Sequence, residues 1–249
     1  MKKTAADSVP SQKKNDCREC RVTGIARLCH ETDHSLETIQ EAKRTLILKK
    51  DESLKVPKQH LNSLFLVKSG MIKLRSEHEE NVSLELLYRG SFFGGLGQFD
   101  LTDFHLKVEA ACDSEICEID ETVIRELMSQ DSHFLKRYMF FVGLYVNNLR
   151  EGLAHSGGFN VTRLLARALQ KDFKERGYLY GGLTTVTKVL SREEWALFLG
   201  SRPETVSRAF AELQKLKIIQ VKSGSISLVD ETALVRYLLP DKKTGTKAA

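Results

Sequence analysis

The 249-residue sequence contains no apolar run long enough to cross a bilayer. Its longest uncharged run, Tyr138 to Leu149, is too short for a membrane-spanning helix. The first residues, Met1 to Asn15, contain lysines but lack the apolar centre of a signal peptide. We therefore expect no membrane partner and predict a soluble, cytoplasmic protein.

The sequence also lacks the motifs of phosphate-binding and hydrolytic enzymes. It has no Walker motif, and the glycines of Phe93-Gly94-Gly95-Leu96-Gly97 do not match G-x-G-x-x-G, so they are predicted to form turns. No nucleophile–base pair, paired carboxylates or cofactor loop is recognisable. The prediction is that the protein is not an enzyme. The alternative is a ligand-binding module or enzyme with an accessory DNA-binding domain, which turnover of a small molecule would reveal.

Cysteine is scarce, with five residues, but three of the five are clustered: Cys17, Cys20 and Cys29. An odd number in an intracellular protein argues against a disulfide framework and favours metal or redox chemistry. Four thiolates complete either a tetrahedral zinc site or a cubane iron–sulfur cluster. A fourth thiolate would have to come from Cys112 or Cys117. His30 could also replace a missing thiolate, although an exposed loop histidine is the simpler interpretation.

Basic residues are concentrated in the C-terminal part of the chain. The net charge is +5 overall, but residues 157–249 carry 16 basic and 9 acidic side chains, whereas residues 1–156 carry 22 and 24. Positive charge is needed where a protein contacts phosphates, so this asymmetry favours nucleic acid over a membrane as the partner, and the motif at Ser191 to Leu216 makes that partner double-stranded DNA. The length allows one large domain or two ordinary ones.

The segment Ser191 to Leu216 is typical of a helix-turn-helix. Ser191 and Glu194 have the spacing of a capping box, which predicts that a helix begins there. Gly200 ends that helix, and the turn is predicted at Gly200 to Arg202. Pro203, whose ring favours a first helical turn, begins the second helix. Four apolar residues of the second helix fall on one face at helical spacing: Val206, Ala209, Phe210 and Leu213.

The opposite face of the second helix carries Glu204, Ser207 and Arg208 near its N-terminus, the end that enters the major groove in this motif. Arginine can donate two hydrogen bonds to guanine O6 and N7, and glutamate can accept from cytosine N4. Arg202 and Thr205 complete the predicted DNA-binding set. The alternative is an ordinary solvated face with an i,i+4 Glu–Arg pair.

After the second helix, Ile218 to Leu228 contains two runs of strand-forming residues around Ser-Gly, which predicts a β-hairpin wing. Glu204-Thr205-Val206-Ser207-Arg208 resembles the Glu-x-x-Ser-Arg recognition motif of the FNR branch of the CRP/FNR family of bacterial transcription regulators. Upstream, Ser63 to Leu74 is similar to the β-roll hairpin of that family, so the resemblance spans roughly Thr45 to Leu234.

The resemblance implies an oxygen-labile [4Fe–4S] cluster held by three N-terminal cysteines and one from the β-roll. Cys17, Cys20 and Cys29 match the first three, and Ile116-Cys117-Glu118-Ile119 resembles the segment of the fourth. Cys112 is then interpreted as a small apolar side chain on a buried strand. The spacing C-x2-C-x8-C is longer than the C-x2-C-x5-C typical of the branch. Zinc binding, or redox chemistry between Cys17 and Cys20, is the alternative.

Short β-type runs between Thr45 and Ile119 predict a small antiparallel barrel or roll. The runs are Thr45 to Leu48, Leu64 to Val67, Met71 to Leu74, Val82 to Leu87, Leu106 to Cys112 and Ile116 to Ile119. Cyclic-nucleotide members of the family hold their ligand through Gly-Glu and Arg-Ser. This chain has Gly94-Gly95 at the first position and neither Arg nor Ser between Gln98 and Lys107; His105 and Lys107 are the only basic candidates. Cyclic-nucleotide binding is therefore not expected.

A short helix is predicted at Asp120 to Ser129 and a long one at His133 to Ser156, ended by Gly157-Gly158. Two apolar stripes run along the long helix. In the first, the seam, apolar residues alternate in steps of four and three, and the second stripe beside it is Phe134, Tyr138, Phe141 and Tyr145. Such a helix can cover its own roll and also meet a second copy. A helix buried within a monomer is the alternative. The predicted homodimer seam is Leu135, Met139, Val142, Val146, Leu149 and Leu153.

We predict an α+β protein with an N-terminal antiparallel β-roll like a cyclic-nucleotide-binding domain, a long dimerisation helix and a C-terminal winged helix-turn-helix. The predicted parts are the tail and cysteine arm (1–40), the β-roll (41–132), the dimerisation helix (133–156), the DNA-binding domain (157–240) and a basic tail (241–249). The resemblance implies an anaerobic regulator whose cluster controls dimerisation and binding to a TTGAT-N4-ATCAA-like palindrome, with RNA polymerase as a further partner. Activation or repression, and oxygen or nitric oxide as the signal, are left open.

Overall fold

The protein folds as two units, residues 1–153 and 154–249. The computed structural model describes residues 17–20, 22, 28–29, 32–54, 62–76, 84–94, 106–156 and 160–239, without the side chains of residues 19, 76, 106, 144–145 and 147–156. Predictions made for the N-terminal tail, His30, Gly95, Gly97, His105, Gly157-Gly158 and the basic tail lie outside these residues.

Two four-stranded antiparallel sheets form the centre of the first unit. The strands are β1 (Arg44–Leu48), β2 (Ser53–Leu54), β3 (Leu64–Ser69), β4 (Met71–Ser76), β5 (Glu85–Tyr88), β6 (Phe92–Gly94), β7 (Leu106–Ala110) and β8 (Ser114–Ile119). One sheet has the order β1-β8-β3-β6 and the other β2-β7-β4-β5. Apolar side chains from both sheets share one core, in which Phe65 and Phe93 stack with ring centroids 4.8 Å apart.

The chain passes from one sheet to the other at Gly70. Strand β3 pairs with β8 and β6, whereas β4 pairs with β7 and β5. The segment from Ser63 to Leu74, which resembles a hairpin in sequence, is therefore a corner between two sheets. Gly70 has a φ of +87°, and a Cβ there would lie 2.6 Å from the carbonyl oxygen of Asp113. Only glycine fits this corner without strain.

Three helices pack against the outside of the roll: α1 (Asp33–Ala42), α2 (Glu121–Gln130) and α3 (Ser132–Ser156). Helix α3 contributes one of its two apolar stripes to this layer, because Phe134 is fully buried and Tyr138 is 5% exposed. Phe141 packs edge-on against Phe92 of β6, with ring centroids 4.7 Å apart. Three residues of the predicted second stripe, Phe134, Tyr138 and Phe141, therefore pack against the roll of the same chain.

Several element predictions differ from the structure. The strand predicted from Leu106 to Cys112 ends at Ala110. Cys112 is therefore not on a strand; it is half-buried in the turn before β8. Gly94 was predicted to be a turn residue but ends β6 with a φ of +71°. The run beginning at Val82 is a strand from Glu85, with residues 82–83 outside the described part. Helix α1 was not predicted, since its capping box pairs Thr32 with Ser35 and not with Glu or Gln.

The second unit is a helical domain with a small sheet. Its elements are α4 (Val161–Arg176), β9 (Tyr178–Tyr180), β10 (Leu183–Thr187), α5 (Arg192–Phe198), α6 (Pro203–Lys215), β11 (Ile219–Val221), β12 (Ser225–Leu228) and α7 (Glu231–Leu238). The sheet order is β11-β12-β10-β9. The predicted wing is confirmed, because β11 and β12 pair antiparallel with Ile219 opposite Leu228.

The helix-turn-helix is confirmed in detail. Ser191 caps α5 and forms the predicted capping box with Glu194, while Pro203 occupies the first turn of α6. Gly200, in the connecting turn, has a φ of +58°. The four apolar residues predicted to share a face of α6 are all buried: Val206, Ala209, Phe210 and Leu213.

No helix among the described residues is long and apolar enough to span a membrane. The predicted α+β architecture, with an antiparallel cyclic-nucleotide-binding-like domain followed by a winged helix-turn-helix, is confirmed by these elements.

Candidate functional site

The four cysteines predicted as ligands lie around one corner of the first unit, which we call the cysteine corner (Cys17, Cys20, Cys29 and Cys117). Cys17, Cys29 and Cys117 are buried, and Cys20 is half-buried. Cys29 and Cys117 belong to the apolar layer between the roll and its helices, with Cys20 packed against it. All are free thiols.

The N-terminal arm is held against helix α1 by short-range structure and two side-chain contacts. Cys17 to Glu19 form a single 3₁₀ turn, closed by a 3.0 Å hydrogen bond from the Cys20 amide to the Cys17 carbonyl. The Cys17 amide donates to Gln40 Oε1 at 2.8 Å. Arg18 pairs with Glu37 at 3.3 Å, but both side chains are well exposed, so this ion pair adds little stability.

Cys117 approaches the corner from the roll. It lies in β8, a central strand, opposite Thr45 of β1 and Leu66 of β3. Side chains two residues apart on a strand share a face, and Cys117 and Ile119 both enter the layer under the helices. The topology therefore brings a residue from the end of the roll to cysteines about a hundred positions earlier in the sequence.

Electrostatic interactions join all four thiols. Burial is the main cause that raises the pKa of Cys29 far above its ordinary value, and negative charge on Cys17, Cys117 and Cys20 raises it further. Burial also raises the pKa of Cys117 to about 11, against the opposing charges of Lys43 and Lys68. Burial thus favours the neutral form of both thiols, and metal binding would have to displace their protons.

Lys43 is a member of the corner that the sequence analysis missed. It follows α1 directly, and its pKa reflects two opposing effects. Burial lowers the pKa, but a side-chain hydrogen bond to Cys17 and the charges of Cys17, Cys117 and Cys20 outweigh it and raise the pKa overall. No spacing pattern in the sequence marks Lys43 as a neighbour of the cysteines. It reaches the cysteine corner only because α1 packs against the roll.

The corner is a packed set of thiols and not a finished coordination site. Within the described residues, no group of three or more His, Cys, Asp or Glu side chains is already arranged to hold a metal ion. Cys112 is not part of the packed layer of the corner. Its carbonyl oxygen accepts a 2.7 Å hydrogen bond from the Ser114 hydroxyl in the turn before β8.

The predicted DNA-contacting residues form an exposed surface at the start of α6. Glu204, Ser207, Arg208 and Arg202 are exposed, and Thr205 is half-buried. Arg208 donates a long 3.4 Å hydrogen bond to the Thr205 hydroxyl. The Arg202 side chain does not cap the helix, so first-turn amides are left available to an acceptor such as a phosphate oxygen.

Two further side chains, neither predicted from sequence, contact the wing. Lys188 Nζ donates to the carbonyl oxygens of Lys222 and Ser223 at the wing turn, the latter at 3.3 Å. Gln214 Oε1, near the end of α6, accepts from the Val221 amide at 3.2 Å. Gln214 thus joins α6 to the last residue of β11, and Lys188, which follows β10, holds the turn after β11.

Helix α3 presents the other predicted surface. Along the seam, Met139 is 56% exposed and Val146 48% exposed, whereas Leu135 and Val142 are half-buried. Phe140, which is outside the predicted seam, is 57% exposed. The side chains of Leu149 and Leu153 lie outside the described residues.

Two family models match the two units. A cyclic nucleotide-binding domain matches residues 46–131 and a Crp-like helix-turn-helix domain matches residues 161–237. The fold is similar to that of FixK2 from Bradyrhizobium japonicum, with a TM-score of 0.65, 17% identity and coverage of 80% of this chain and 98% of that one. A CooA mutant from Carboxydothermus hydrogenoformans gives a TM-score of 0.63 at 20% identity, covering 87% and 96%.

Curated relatives extend over almost the whole chain. The "Anaerobic regulatory protein" of Pasteurella multocida is 25% identical over 93% of this chain and 85% of its own length. The "Transcriptional activator protein anr" of Pseudomonas aeruginosa is 23% identical over 88% of this chain and 90% of its own. A winged helix joined to a cyclic-nucleotide-binding-type roll defines a transcription regulator. The chain belongs to the CRP/FNR family of these regulators.

Proposed function

We propose that this regulator responds to oxygen through a [4Fe–4S] cluster, with Cys17, Cys20 and Cys29 as ligands from the arm and Cys117 as the ligand from β8. The observation that carries the proposal is the packing of Cys29, Cys117 and Cys20 in one apolar layer, with Cys17 buried beside them on the arm. Four thiols fit such a cluster in number and chemical type. When bound, it would supply oxygen-sensitive iron–sulfur chemistry.

The names of the curated relatives support an anaerobic role. One is described as an anaerobic regulatory protein and another as a transcriptional activator. For this chain we accordingly propose regulation of genes in response to loss of oxygen, and contact with RNA polymerase stays a prediction.

The DNA-binding form is proposed to be a homodimer. Each copy offers one recognition helix, which contacts only a half-site, so symmetric binding requires a near-palindromic operator. The exposed Met139, Phe140 and Val146 on α3 supply apolar surface for the second copy. The proposed operator resembles TTGAT-N4-ATCAA, with Arg208 on guanine and Glu204 toward cytosine.

Metal analysis of protein purified without air tests the cluster. We expect a brown protein with about four iron and four sulfide per chain. Cys117→Ser should lose both, whereas Cys112→Ser, the matched control, should keep both. Equal content in the two variants would contradict the ligand assignment.

The same preparation separates the alternative signals. A colourless protein that carries zinc would overturn the iron–sulfur proposal in favour of a zinc site. A metal-free protein in which an oxidant joins Cys17 to Cys20 would favour thiol redox sensing instead.

DNA binding is measured on the same samples. The cluster-loaded protein should bind a palindromic duplex more tightly than the air-exposed protein, and a duplex with one scrambled half-site should lose most of the affinity. If the loaded and air-exposed forms bind with equal affinity, the protein is a DNA-binding protein whose binding does not respond to oxygen, and the proposed oxygen response is wrong.

A further inference from the structure

Helix α1 is joined to the start of helix α3 by one hydrogen bond. The Thr32 hydroxyl donates to Asp131 Oδ2 at 2.5 Å, and these residues are 99 positions apart in the sequence. Asp131 is 8% exposed and Thr32 is half-buried, so the bond lies at the edge of the packed layer and is partly shielded from water. The bond from Thr32 is also the largest reason why the pKa of Asp131 lies below its ordinary value.

Asp131 has a second function at the same point. Its Oδ1 accepts from the amides of His133 and Phe134, each at 3.0 Å, and its carbonyl accepts from Leu135 at 3.0 Å. These are the bonds of a helix N-cap, which satisfy amides that have no partner within the helix. One carboxylate therefore holds α3 with one oxygen and α1 with the other.

Thr32 is likewise the N-cap of its own helix. Its Oγ1 accepts from the Ser35 amide at 3.0 Å while its proton goes to Asp131. At the other end of α1, Gln40 accepts from the Cys17 amide. A continuous series of contacts thus runs from the cysteine arm through α1 to the first turn of α3.

We propose that Thr32 and Asp131 are positioning residues that couple the seating of the cysteine arm on α1 to the N-terminus of the dimerisation helix. This inference rests on the proposed function for its biological meaning. A hydroxyl–carboxylate bond of this length is made only when α1 is seated in its observed position. Displacement of α1 therefore removes one partner of the carboxylate that caps α3. Coupling of this kind is reciprocal, so a second copy bound to α3 also stabilises the arm.

Asp131→Asn is the sharpest variant, because an asparagine oxygen still caps α3 while its uncharged amide group can only donate weakly to the Thr32 hydroxyl and cannot accept its proton. Under anaerobic conditions we expect this variant to raise the dimer dissociation constant about tenfold, as measured by sedimentation, for a lost hydrogen bond to a charged group. Iron and sulfide content should stay at the wild-type level. An unchanged dissociation constant would overturn the proposal.

A double-mutant cycle with Thr32→Val isolates the bond. Thr32→Val with Asp131→Asn should be no worse than the more severe single variant, whereas additive losses would overturn the coupling. Ser35→Ala, which weakens the cap of α1 but keeps the Thr32 hydroxyl, is the control and should leave the dimer constant near wild type. Thr32→Ser keeps the hydroxyl and should behave like the wild type. It shows whether the effect of Thr32→Val comes from the lost hydroxyl or from poor folding.

Amide exchange in the full metal-free chain tests transmission independently of the cluster. Gln40→Met removes the acceptor of the Cys17 amide at the far end of α1. We expect faster exchange at Cys17 and also, severalfold, at His133 and Phe134. Faster exchange at Cys17 alone would overturn the coupling. If the wild-type protein carries no iron and sulfide, the proposed function fails, and this exchange comparison still decides the inference.

Discussion

The guanidinium of Arg192 lies over the ring of Phe210, with its central carbon 3.6 Å from the ring centroid. Arg192 is the first residue of α5, and Phe210 is buried on the core face of α6. The contact is a cation–π interaction that joins the two helices of the DNA-binding motif. Trp195, the only tryptophan, lies edge-on to the same ring, with centroids 6.0 Å apart.

Arg192→Met should destabilise the second unit by about 0.5–2 kcal/mol, because it keeps much of the apolar stem but removes the cation over the ring. Urea unfolding of the full chain, followed by Trp195 fluorescence, measures this difference. Arg236→Met, at an exposed position of α7, is the control and should change stability by less than about 0.5 kcal/mol. Equal effects would contradict the cation–π assignment.

Arg208→Ala should weaken binding to the palindromic duplex by about 1–3 kcal/mol and relax preference at the guanine it contacts. The physical reason is loss of two directed hydrogen bonds to one base. Competition binding with duplexes changed at that base measures both effects. Lys215→Ala, at an exposed position at the end of α6, is the control for loss of a positive charge from the same helix. A uniform loss on every sequence would show that Arg208 contacts phosphate.

Met139→Glu should raise the dissociation constant of the dimer at least about tenfold, since a half-exposed apolar side chain on α3 becomes a charge at the proposed contact. Sedimentation of the anaerobic protein measures the change. Lys136→Glu, an exposed position one turn earlier, tests whether any acidic residue on α3 has the same effect. If the dissociation constant of Met139→Glu equals that of the wild type, the dimer interface does not include Met139.

Gly70→Ala should destabilise the first unit by more than about 1 kcal/mol, because the residue has a positive φ and the new methyl would meet the Asp113 carbonyl. Calorimetry of the full chain is the measurement. Gly224→Ala is the matched control, as its Cβ would have nothing within 4 Å. A small effect at Gly70 would mean that the corner between the sheets can rearrange.

Thiol labelling of the metal-free protein should modify the half-buried Cys20 and Cys112 before Cys29 and Cys117. Because burial raises the pKa of Cys117 from 9.0 to about 11, the folded protein favours its neutral form. The stability from this preference is present below pH 9 and is lost as the pH rises through about 11. Alkylation rates at each cysteine, read by peptide mass spectrometry across this range, test the order; early labelling of Cys117 at pH 8 would contradict it.

The helix-turn-helix and the wing could be predicted from the sequence almost residue by residue, whereas α4, β9, β10 and α7 of the same unit were not predicted. Ser191, Glu194, Gly200 and Pro203 are local signals whose effect depends on the backbone within one helical turn. The period of the apolar residues on α6 then determines which face is buried. Helix α1 was missed because its local signal is unusual: the cap formed by Thr32 depends on a reciprocal serine, Ser35, and not on Glu or Gln.

The sequence by itself determined the clustering of three cysteines, the face of the recognition helix and the two stripes of α3, since all of these are periodic or local patterns. Only the tertiary structure decided that Gly70 turns between two sheets, that Lys43 joins the thiols, and that Thr32 meets Asp131. These relationships bring together residues from separate elements, and no local pattern encodes the packing of α1 against the roll. Their physical basis is the antiparallel register of the sheets and the burial of the helices upon them, which act over the whole chain.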